Sequence, residues 1–269
     1  MKKQKFLFTT RFMINATLFQ CKLQKNQNDV NQYLHLTLMK KLKFISLYNA
    51  ARSGNISCLK YAHKIINAKD IHNDTLCNAA LSGSFVCLKY VNNIIKGTDG
   101  RNWTLHFAAR SGSLACLMYA FNIIKATDIY NFTLCNAAES GSLACLKYAF
   151  NVIGATDNDN WTLCNAASSG SLACLKYAHE IIGATNVYKT LCYAARSGSL
   201  ECLKYAHEVI KATDNEYTLR NAAASGSLDC LKYAHEVIKA KDVNNYTLYY
   251  AAESKNVSCI EYCEKPFSL

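Results

Sequence analysis

Apolar and polar residues follow one pattern that recurs about every 29 residues along most of the chain. Each copy reads approximately Thr-Leu-x-x-Ala-Ala-x-Ser-Gly-Ser-Leu-x-Cys-Leu-Lys-Tyr-Ala. The Ser-Gly glycines stand at 54, 83, 112, 141, 170, 198 and 226, spaced by 29 residues four times and then by 28 twice, and Lys255 takes the eighth place. A fixed period of this length is typical of repeat proteins.

The pattern predicts two short helices in each copy. The threonines, at positions 75, 104, 133, 162, 190, 218 and 247, suit a helix N-cap because a hydroxyl can accept a bond from a free backbone N–H. Paired alanines then permit close approach of a two-turn first helix, and the glycine suits the left-handed residue that ends it. Ser84, Ser113, Ser142 and their counterparts are predicted to cap a second helix.

The second helix is amphipathic with a 3.6-residue period. In one copy Leu200, Leu203, Ala206 and Ile210 fall on a single side. A two-turn helix is not stable alone in water, and one unit cannot bury its own apolar side. Stacked neighbours must therefore supply the core, which predicts an all-α elongated solenoid of stacked helix-turn-helix repeats.

The chain divides into four predicted segments. Residues 1–16 form a basic N-terminal tail, and residues 17–45 form a degenerate capping repeat in which Thr17-Leu18 matches Ser46-Leu47, 29 residues on. Eight repeats of 28–29 residues occupy 46–263, and 264–269 is a C-terminal tail.

The repeat resembles the ankyrin repeat. The family pattern Thr-Pro-Leu-His-x-Ala-Ala-x-x-Gly-His is echoed by Trp103-Thr104-Leu105-His106-Phe107-Ala108-Ala109-Arg110-Ser111-Gly112-Ser113, and the family's second helix by Leu200-Glu201-Cys202-Leu203-Lys204-Tyr205-Ala206-His207. The copies are shorter than the family's roughly 33 residues, and the turn proline is missing. The resemblance therefore implies short or absent β-hairpin loops, and the shortened style is similar to ankyrin proteins of giant DNA viruses of amoebae.

Positive charge is concentrated at the start of the chain. Half of the 269 residues are hydrophobic and the formal net charge is +11, but residues 1–45 alone carry nine Lys or Arg against one Asp. The basic residues of this leader are Lys2, Lys3, Lys5, Arg11, Lys22, Lys25, Lys40, Lys41 and Lys43. Such a leader can bind nucleic acid, an acidic partner or an anionic membrane, or it can be a solvated tail.

Nothing in the sequence predicts secretion or a membrane span. Thr9, Thr10, Arg11 and Asn15 interrupt the apolar residues near the N-terminus that a signal peptide requires. No run of eighteen apolar residues occurs. We expect a monomer in the cytoplasm, which is the host cytoplasm if the protein is viral.

Twelve of the fourteen cysteines fall at two places in the repeat, which favours core packing over chemistry. One column is Cys58, Cys87, Cys116, Cys145, Cys174, Cys202, Cys230 and Cys259, and a partial column is Cys77, Cys135, Cys164 and Cys192. Equivalent residues on packed helices lie roughly 10 Å apart, too far for a disulfide. Free thiols in a reducing compartment are the simpler interpretation.

Histidine is also a repeated packing residue rather than a catalytic one. His63, His179, His207 and His235 share a column with Phe121 and Phe150. The glutamates that follow three of these histidines, at 180, 208 and 236, are expected to point elsewhere because i,i+1 neighbours do not face each other. No catalytic motif is present, so we predict no enzyme activity, no metal and no cofactor.

Recognition is expected at positions where the copies differ. In ankyrin-like proteins the concave face is made from the residue after the Ala pair and from the loop tips. The first class is Leu81, Arg110, Glu139, Ser168, Arg196, Ala224 and Glu253, and the second includes Arg101, Tyr130, Asp159, Tyr188, Glu216 and Asn244. The leading hypothesis is a non-enzymatic protein-binding adaptor that uses the concave face. In one version of this hypothesis the adaptor is viral and acts on host proteins. The alternatives are nucleic-acid or anionic-surface binding through residues 1–45 and a passive structural spacer.

Overall fold

The computed structural model describes residues 46–70, 73–157, 160–213, 216–242 and 246–264. The predicted tail 1–16, the predicted capping repeat 17–45 and residues 265–269 lie outside the described residues, while Glu264 is the last residue of a helix. Within the described residues the chain forms sixteen short helices, paired as first and second helices of eight copies.

The first helices are α1 (Leu47–Arg52), α3 (Thr75–Leu81), α5 (Thr104–Arg110), α7 (Thr133–Glu139), α9 (Thr162–Ser168), α11 (Val187–Ser197), α13 (Thr218–Ala224) and α15 (Thr247–Ser254). The second helices are α2 (Ile56–Lys64), α4 (Phe85–Tyr90), α6 (Leu114–Tyr119), α8 (Leu143–Tyr148), α10 (Leu172–Glu180), α12 (Leu200–Glu208), α14 (Leu228–Lys232) and α16 (Val257–Glu264). In four copies a wide π-type turn continues the second helix, over Val91–Ile95, Ala120–Ile124, Ala149–Ile153 and Tyr233–Val237.

The helices form two compact units. Unit 1 comprises the residues up to Ala108 together with Met118–Ala126, and unit 2 comprises Ala109–Leu117 together with the residues from Thr127 onward. In unit 1, α1 packs on α3 and α2 packs on α4. In unit 2, the first helices α7, α9, α11, α13 and α15 pack in succession, and the second helices α8, α10, α12, α14 and α16 do the same.

The repeated letters make the core of each unit. The leucine after the threonine and the leucine after the cysteine are fully buried in most copies, as are the paired alanines. All eight cysteines of the complete column are buried and carry free thiols, as the packing interpretation predicted. Because every copy buries the same residues against its neighbours, packing fixes these letters.

Serine caps the second helices as predicted. In the copy of Ser142, the hydroxyl oxygen accepts from the backbone N–H of Cys145 at 3.3 Å, and Ser84, Ser113, Ser171, Ser199 and Ser227 make the same bond. The preceding glycine has the expected left-handed conformation, with φ of +71° at Gly141. This pair of residues sets the sharp turn between the two helices.

The prediction that threonine caps the first helix is wrong. Thr162 is the first residue of α9, its side chain is buried, and its hydroxyl has no hydrogen-bond partner. Asp157 supplies the cap, because its two carboxylate oxygens accept from the N–H groups of Trp161 at 3.0 Å and Thr162 at 3.2 Å. A carboxylate serves better than a hydroxyl here because it reaches two amides at once and suits the positive end of the helix.

Helix α11 departs from the other first helices. It begins at Val187, three residues before its threonine, and the Thr190 hydroxyl donates to the carbonyl of Asn186 at 2.5 Å. The copy is one residue shorter than the copies before it and has no capping aspartate in the loop. Val187, Tyr188 and Lys189, which precede the threonine, are therefore part of the helix.

Tyrosine joins successive second helices. The Tyr233 hydroxyl donates to the Glu208 carboxylate at 2.7 Å and lies 3.1 Å from His207 Nδ1. Because the phenol hydrogen goes to the carboxylate, His207 Nδ1–H donates to the phenol oxygen. The expectation that the glutamate points elsewhere is wrong, since the long side chain reaches the tyrosine of the next copy alongside its histidine neighbour. The same arrangement recurs at Tyr205 and Tyr262.

The predicted fold class is confirmed within each unit. The helices pair and stack in sequence order, and no strand or β-hairpin occurs in the part of the chain that the structure describes. None of the described helices is long and apolar enough to cross a membrane.

Candidate functional site

The residues after the Ala pair all lie at the ends of first helices. Arg110, Arg196 and Glu253 are exposed, and Leu81, Glu139 and Ser168 are half-buried. Arg110 Nη2 lies 2.7 Å from Glu139 Oε1 in an ion pair between the equivalent positions of neighbouring copies. Both side chains are more than a third exposed, so the pair contributes at most about 1 kcal/mol to stability. It leaves both groups accessible for recognition.

The predicted loop-tip residues separate into three groups. Arg101, Tyr130 and Glu216 lie in turns and are exposed, as expected of loop tips. Tyr188 lies instead inside helix α11, where it is 61% exposed, because this copy has the longer first helix. Asp159 and Asn244 lie outside the described residues.

Aromatic residues on the first helices are a feature that the sequence reasoning missed. The residue just before the threonine is Trp103, Phe132, Trp161, Tyr217 or Tyr246 in five copies. More aromatic residues occupy the fourth place of the first-helix pattern, at Phe107, Tyr193 and Tyr250. The recurrence is visible in the sequence, although other copies have Asp74 or Lys189 before the threonine and asparagine at the fourth place.

In unit 2 these residues form a strip across four neighbouring first helices. The Trp161 and Tyr193 rings meet edge to face with centroids 6.2 Å apart, and Lys189 Nζ lies 4.8 Å from the Trp161 ring. We call Trp161, Lys189, Tyr193, Tyr217, Arg220, Tyr249 and Tyr250 together the unit 2 aromatic strip.

The strip continues through a shared guanidinium. Arg220 lies 3.9 Å from the centroid of Tyr217 and 5.8 Å from that of Tyr250, so one cation stacks near rings from two successive copies. Tyr250 in turn meets Tyr249 edge to face at 5.4 Å, and Tyr249 is 58% exposed. Such cation–π contacts hold side chains in place while leaving part of each ring open.

Unit 1 carries a smaller cluster of the same kind. Arg101 lies 4.9 Å from the Trp103 ring centroid and 3.7 Å from the carboxylate of Asp74. Trp103 packs against Phe107 with centroids 5.6 Å apart. The predicted loop residue Arg101 is therefore held by an aromatic partner and an acidic one.

Hydrogen bonding also perturbs one tyrosine at the strip. The Glu216 carboxylate accepts from the Tyr217 hydroxyl, which raises the pKa of that phenol, and the nearby Tyr188 adds to the effect. The predicted residues Glu216 and Tyr188 thus lie close to a strip residue. The bond engages the phenol hydrogen and leaves the phenol oxygen available as an acceptor.

The cysteines of the first helices are poor nucleophiles. Burial, followed by the charges of Asp99 and Asp74, raises the pKa of Cys77 to about 12. Burial is also the main cause that raises the pKa of Cys164 to about 11. A reactive cysteine needs a lowered pKa, so these thiols act as packing groups. In the described residues, no cluster of three or more potential metal ligands occurs.

The fold and the strip define a class of protein, an all-α repeat protein with a partly exposed aromatic and cationic surface on its first helices. The chain matches no known family profile and no curated protein sequence. Among solved structures it is similar to the ankyrin repeat domain of human ASB11, with a TM-score of 0.45 and 20% identity, covering 71% of this chain and 98% of that one. The fold assignment rests on the repeated helix pairs themselves.

Proposed function

We propose that this chain is a non-enzymatic protein-interaction module that binds a partner through the first-helix side of unit 2. The unit 2 aromatic strip is the observation that supports the proposal. Tyrosine, tryptophan and arginine dominate the binding energy of protein interfaces, and the stiff aromatic rings lose little entropy when they are buried. The sequence resemblance to ankyrin repeats points to the same side, which it predicts as concave.

Charge on this surface favours a protein over a polyanion. Basic residues Lys189, Arg196 and Arg220 alternate with acidic Glu216 and Glu253 along the first helices and their loops. Nucleic-acid sites are strongly basic, because lysine and arginine side chains neutralise the phosphates. Mixed charges that flank aromatic rings instead suit the polar rim of a protein interface.

Paired substitutions on opposite sides of unit 2 test the proposal. Tyr188→Ala with Tyr249→Ala removes two exposed rings from the first-helix side, and Val152→Ala with Ile181→Ala is a control just beyond the C-terminal ends of the second helices α8 and α10. In quantitative affinity purification with mass spectrometry, we expect the first variant to lose specific partners and the control to retain them. Equal partner profiles for wild type and both variants would refute the proposed surface.

The finer parts of the proposal concern origin and setting. The shortened repeat supports a viral adaptor that acts on host proteins, and we further propose that the chain acts as a monomer in the cytoplasm. Fluorescence microscopy of the tagged chain tests the compartment, and light scattering tests the monomer.

Nucleic-acid or anionic-surface binding through the leader is the second candidate, carried by the nine basic residues of 1–45. If deletion of 1–45 abolishes binding, and affinity falls steeply with salt, the leader hypothesis replaces the first one. Absence of any specific partner favours the spacer.

A further inference from the structure

A shallow open groove of 440 Å³ lies on the second helices of unit 1. It is almost entirely apolar at its surface. Its lining consists of Ile56, Lys60, Phe85, Val86, Lys89, Tyr90, Asn93 and Ile94. These residues come from the second helices of two neighbouring copies, on elements separate from the first helices that carry the aromatic strips.

The second copy departs from the repeat where it lines this groove. Phe85-Val86 begins α4, whereas the next copies have Leu114-Ala115, Leu143-Ala144 and Leu172-Ala173. Core packing does not explain the larger pair, because Phe85 is 39% and Val86 is 59% exposed. The fold is built elsewhere in this chain with the smaller residues, so the larger apolar area is free to serve recognition.

Further apolar side chains of unit 1 are exposed. Ile65, Met118 and Ile123 lie on its second helices or just after them, and Ile94 is exposed at the groove itself. Phe85 is held in place by an edge-to-face contact with Tyr119, with centroids 5.4 Å apart. Contiguous exposed apolar surface rimmed by polar residues marks interaction sites.

The surroundings of the groove are uniformly basic. The second-helix segments 56–64, 85–96 and 118–125 contain the lysines 60, 64, 89, 96 and 125 and no acidic residue. Lys60 Nζ lies 5.9 Å from the Tyr90 ring, and no carboxylate of the described residues pairs with Lys89. In unit 2, by contrast, Glu180, Glu208 and Glu236 stand on the second helices.

We propose that this groove docks the apolar side of an acidic amphipathic helix from a partner protein. A helix presents apolar side chains at i, i+3, i+4 and i+7 that insert into such a groove. Acidic residues on its flanks then meet the lysines of the rim. A depression between two helices suits inserted side chains.

Fluorescence anisotropy with a synthetic probe tests the proposal on the full chain. The probe is a fluorescein-labelled amphipathic helical peptide with leucines on one side and glutamates elsewhere, and its control replaces every glutamate with lysine. We expect the acidic peptide to bind and the lysine peptide not to bind. Phe85→Leu with Val86→Ala restores the chain's own repeat pattern, and we expect it to weaken binding about tenfold or more.

Charge and location have separate controls. Lys89→Glu should weaken binding of the acidic peptide, and salt should weaken binding to the wild-type chain. Val152→Ala with Ile181→Ala removes equally exposed apolar side chains from unit 2 and should leave binding unchanged. Circular dichroism, recorded before each variant is heated to unfolding, should show native helix content.

Three results would each overturn the proposal. One is equal binding of the acidic peptide to the wild-type chain and to the Phe85→Leu, Val86→Ala variant. Another is equal binding of the acidic and lysine peptides. The third is binding only to phosphatidylserine vesicles, which would make the groove a membrane contact. The variant Tyr188→Ala with Tyr249→Ala should bind the peptide like the wild type, so failure here is distinct from failure of the proposed function.

Discussion

Loss of one phenol hydroxyl that joins two successive second helices should destabilise the chain by an amount that depends on the hydrogen-bond partners of that hydroxyl. Tyr233→Phe keeps the ring but removes the bonds to Glu208 at 2.7 Å and His207 at 3.1 Å. A bond to a charged group contributes about 1.5–3 kcal/mol and a neutral one about 1. Because the Glu208 side chain is exposed and regains water, we expect a net loss of about 2 kcal/mol.

The chain contains a matched control for this perturbation. Tyr177 occupies the same position in an earlier copy, but its hydroxyl accepts from the Asn151 amide at 3.0 Å and has no glutamate partner. Tyr177→Phe should therefore cost only about 1 kcal/mol. The difference between the two variants isolates the charged bond between copies.

Urea unfolding followed by circular dichroism measures both variants, and the midpoints are compared at unchanged slope. Tyr233→Phe should lower the midpoint about twice as far as Tyr177→Phe. A Tyr233→Phe, Glu208→Gln double variant should be little worse than Tyr233→Phe alone, because the two groups share one interaction. Equal midpoints for the two tyrosine variants would refute the reasoning.

Three further predictions follow from the helix ends and the buried phenols. Asp157→Ala removes the double cap of α9 and should lower stability by about 1–2 kcal/mol in urea unfolding; a smaller loss than for a surface alanine control would contradict the cap. Lys239→Gly should stabilise the chain by about 0.5–1 kcal/mol because Lys239 has φ of +60°, whereas Gly183→Lys, at φ +71°, should destabilise it by a similar amount. A lower thermal unfolding midpoint for Lys239→Gly, or a higher one for Gly183→Lys, would contradict this prediction. Burial, then Glu180 and Glu208, raises the pKa of Tyr205 and Tyr233 from 10.0 to about 12. Folding therefore favours the neutral phenols, and the stability they contribute is present below pH 10.0 and lost as pH rises toward about 12. Phenolate absorbance of the folded chain should rise at a higher pH than that of the unfolded chain, and coincident titration curves would refute this prediction.

Much of the fold follows from the repeat. The serine caps, the left-handed glycine at Gly141 and the buried cysteine column were all predicted from spacing and residue type. The threonine cap was mistaken because a hydroxyl and a nearby carboxylate compete for the same amides, and Asp157 reaches them across the loop. Tyr188 was placed in a loop because a deletion of one residue changes where a helix begins without altering the pattern around it.

The candidate site was less predictable than the fold. Variation between copies identified Arg110, Glu139 and Tyr188, which are accessible. It missed Trp161 and Arg220, because their role depends on rings and cations from successive copies that lie together only after stacking. The same limit explains why the contacts of Glu180, Glu208 and Glu236 were not predicted. The i,i+1 rule describes a single helix, whereas the tyrosine that each glutamate shares with its histidine neighbour belongs to the next copy.

Site-specific photocrosslinking tests whether a partner binds the first-helix side of unit 2. Benzoylphenylalanine placed at position 188 or 249 lies on the first-helix side of unit 2, and the same group at 152 or 181 lies just beyond the C-terminal ends of the second helices α8 and α10. We expect the first two positions to crosslink to a specific protein in cell extracts and the other two not to. Crosslinks to that protein only from positions 152 and 181 would contradict this expectation, as would no protein adduct at any of the four positions.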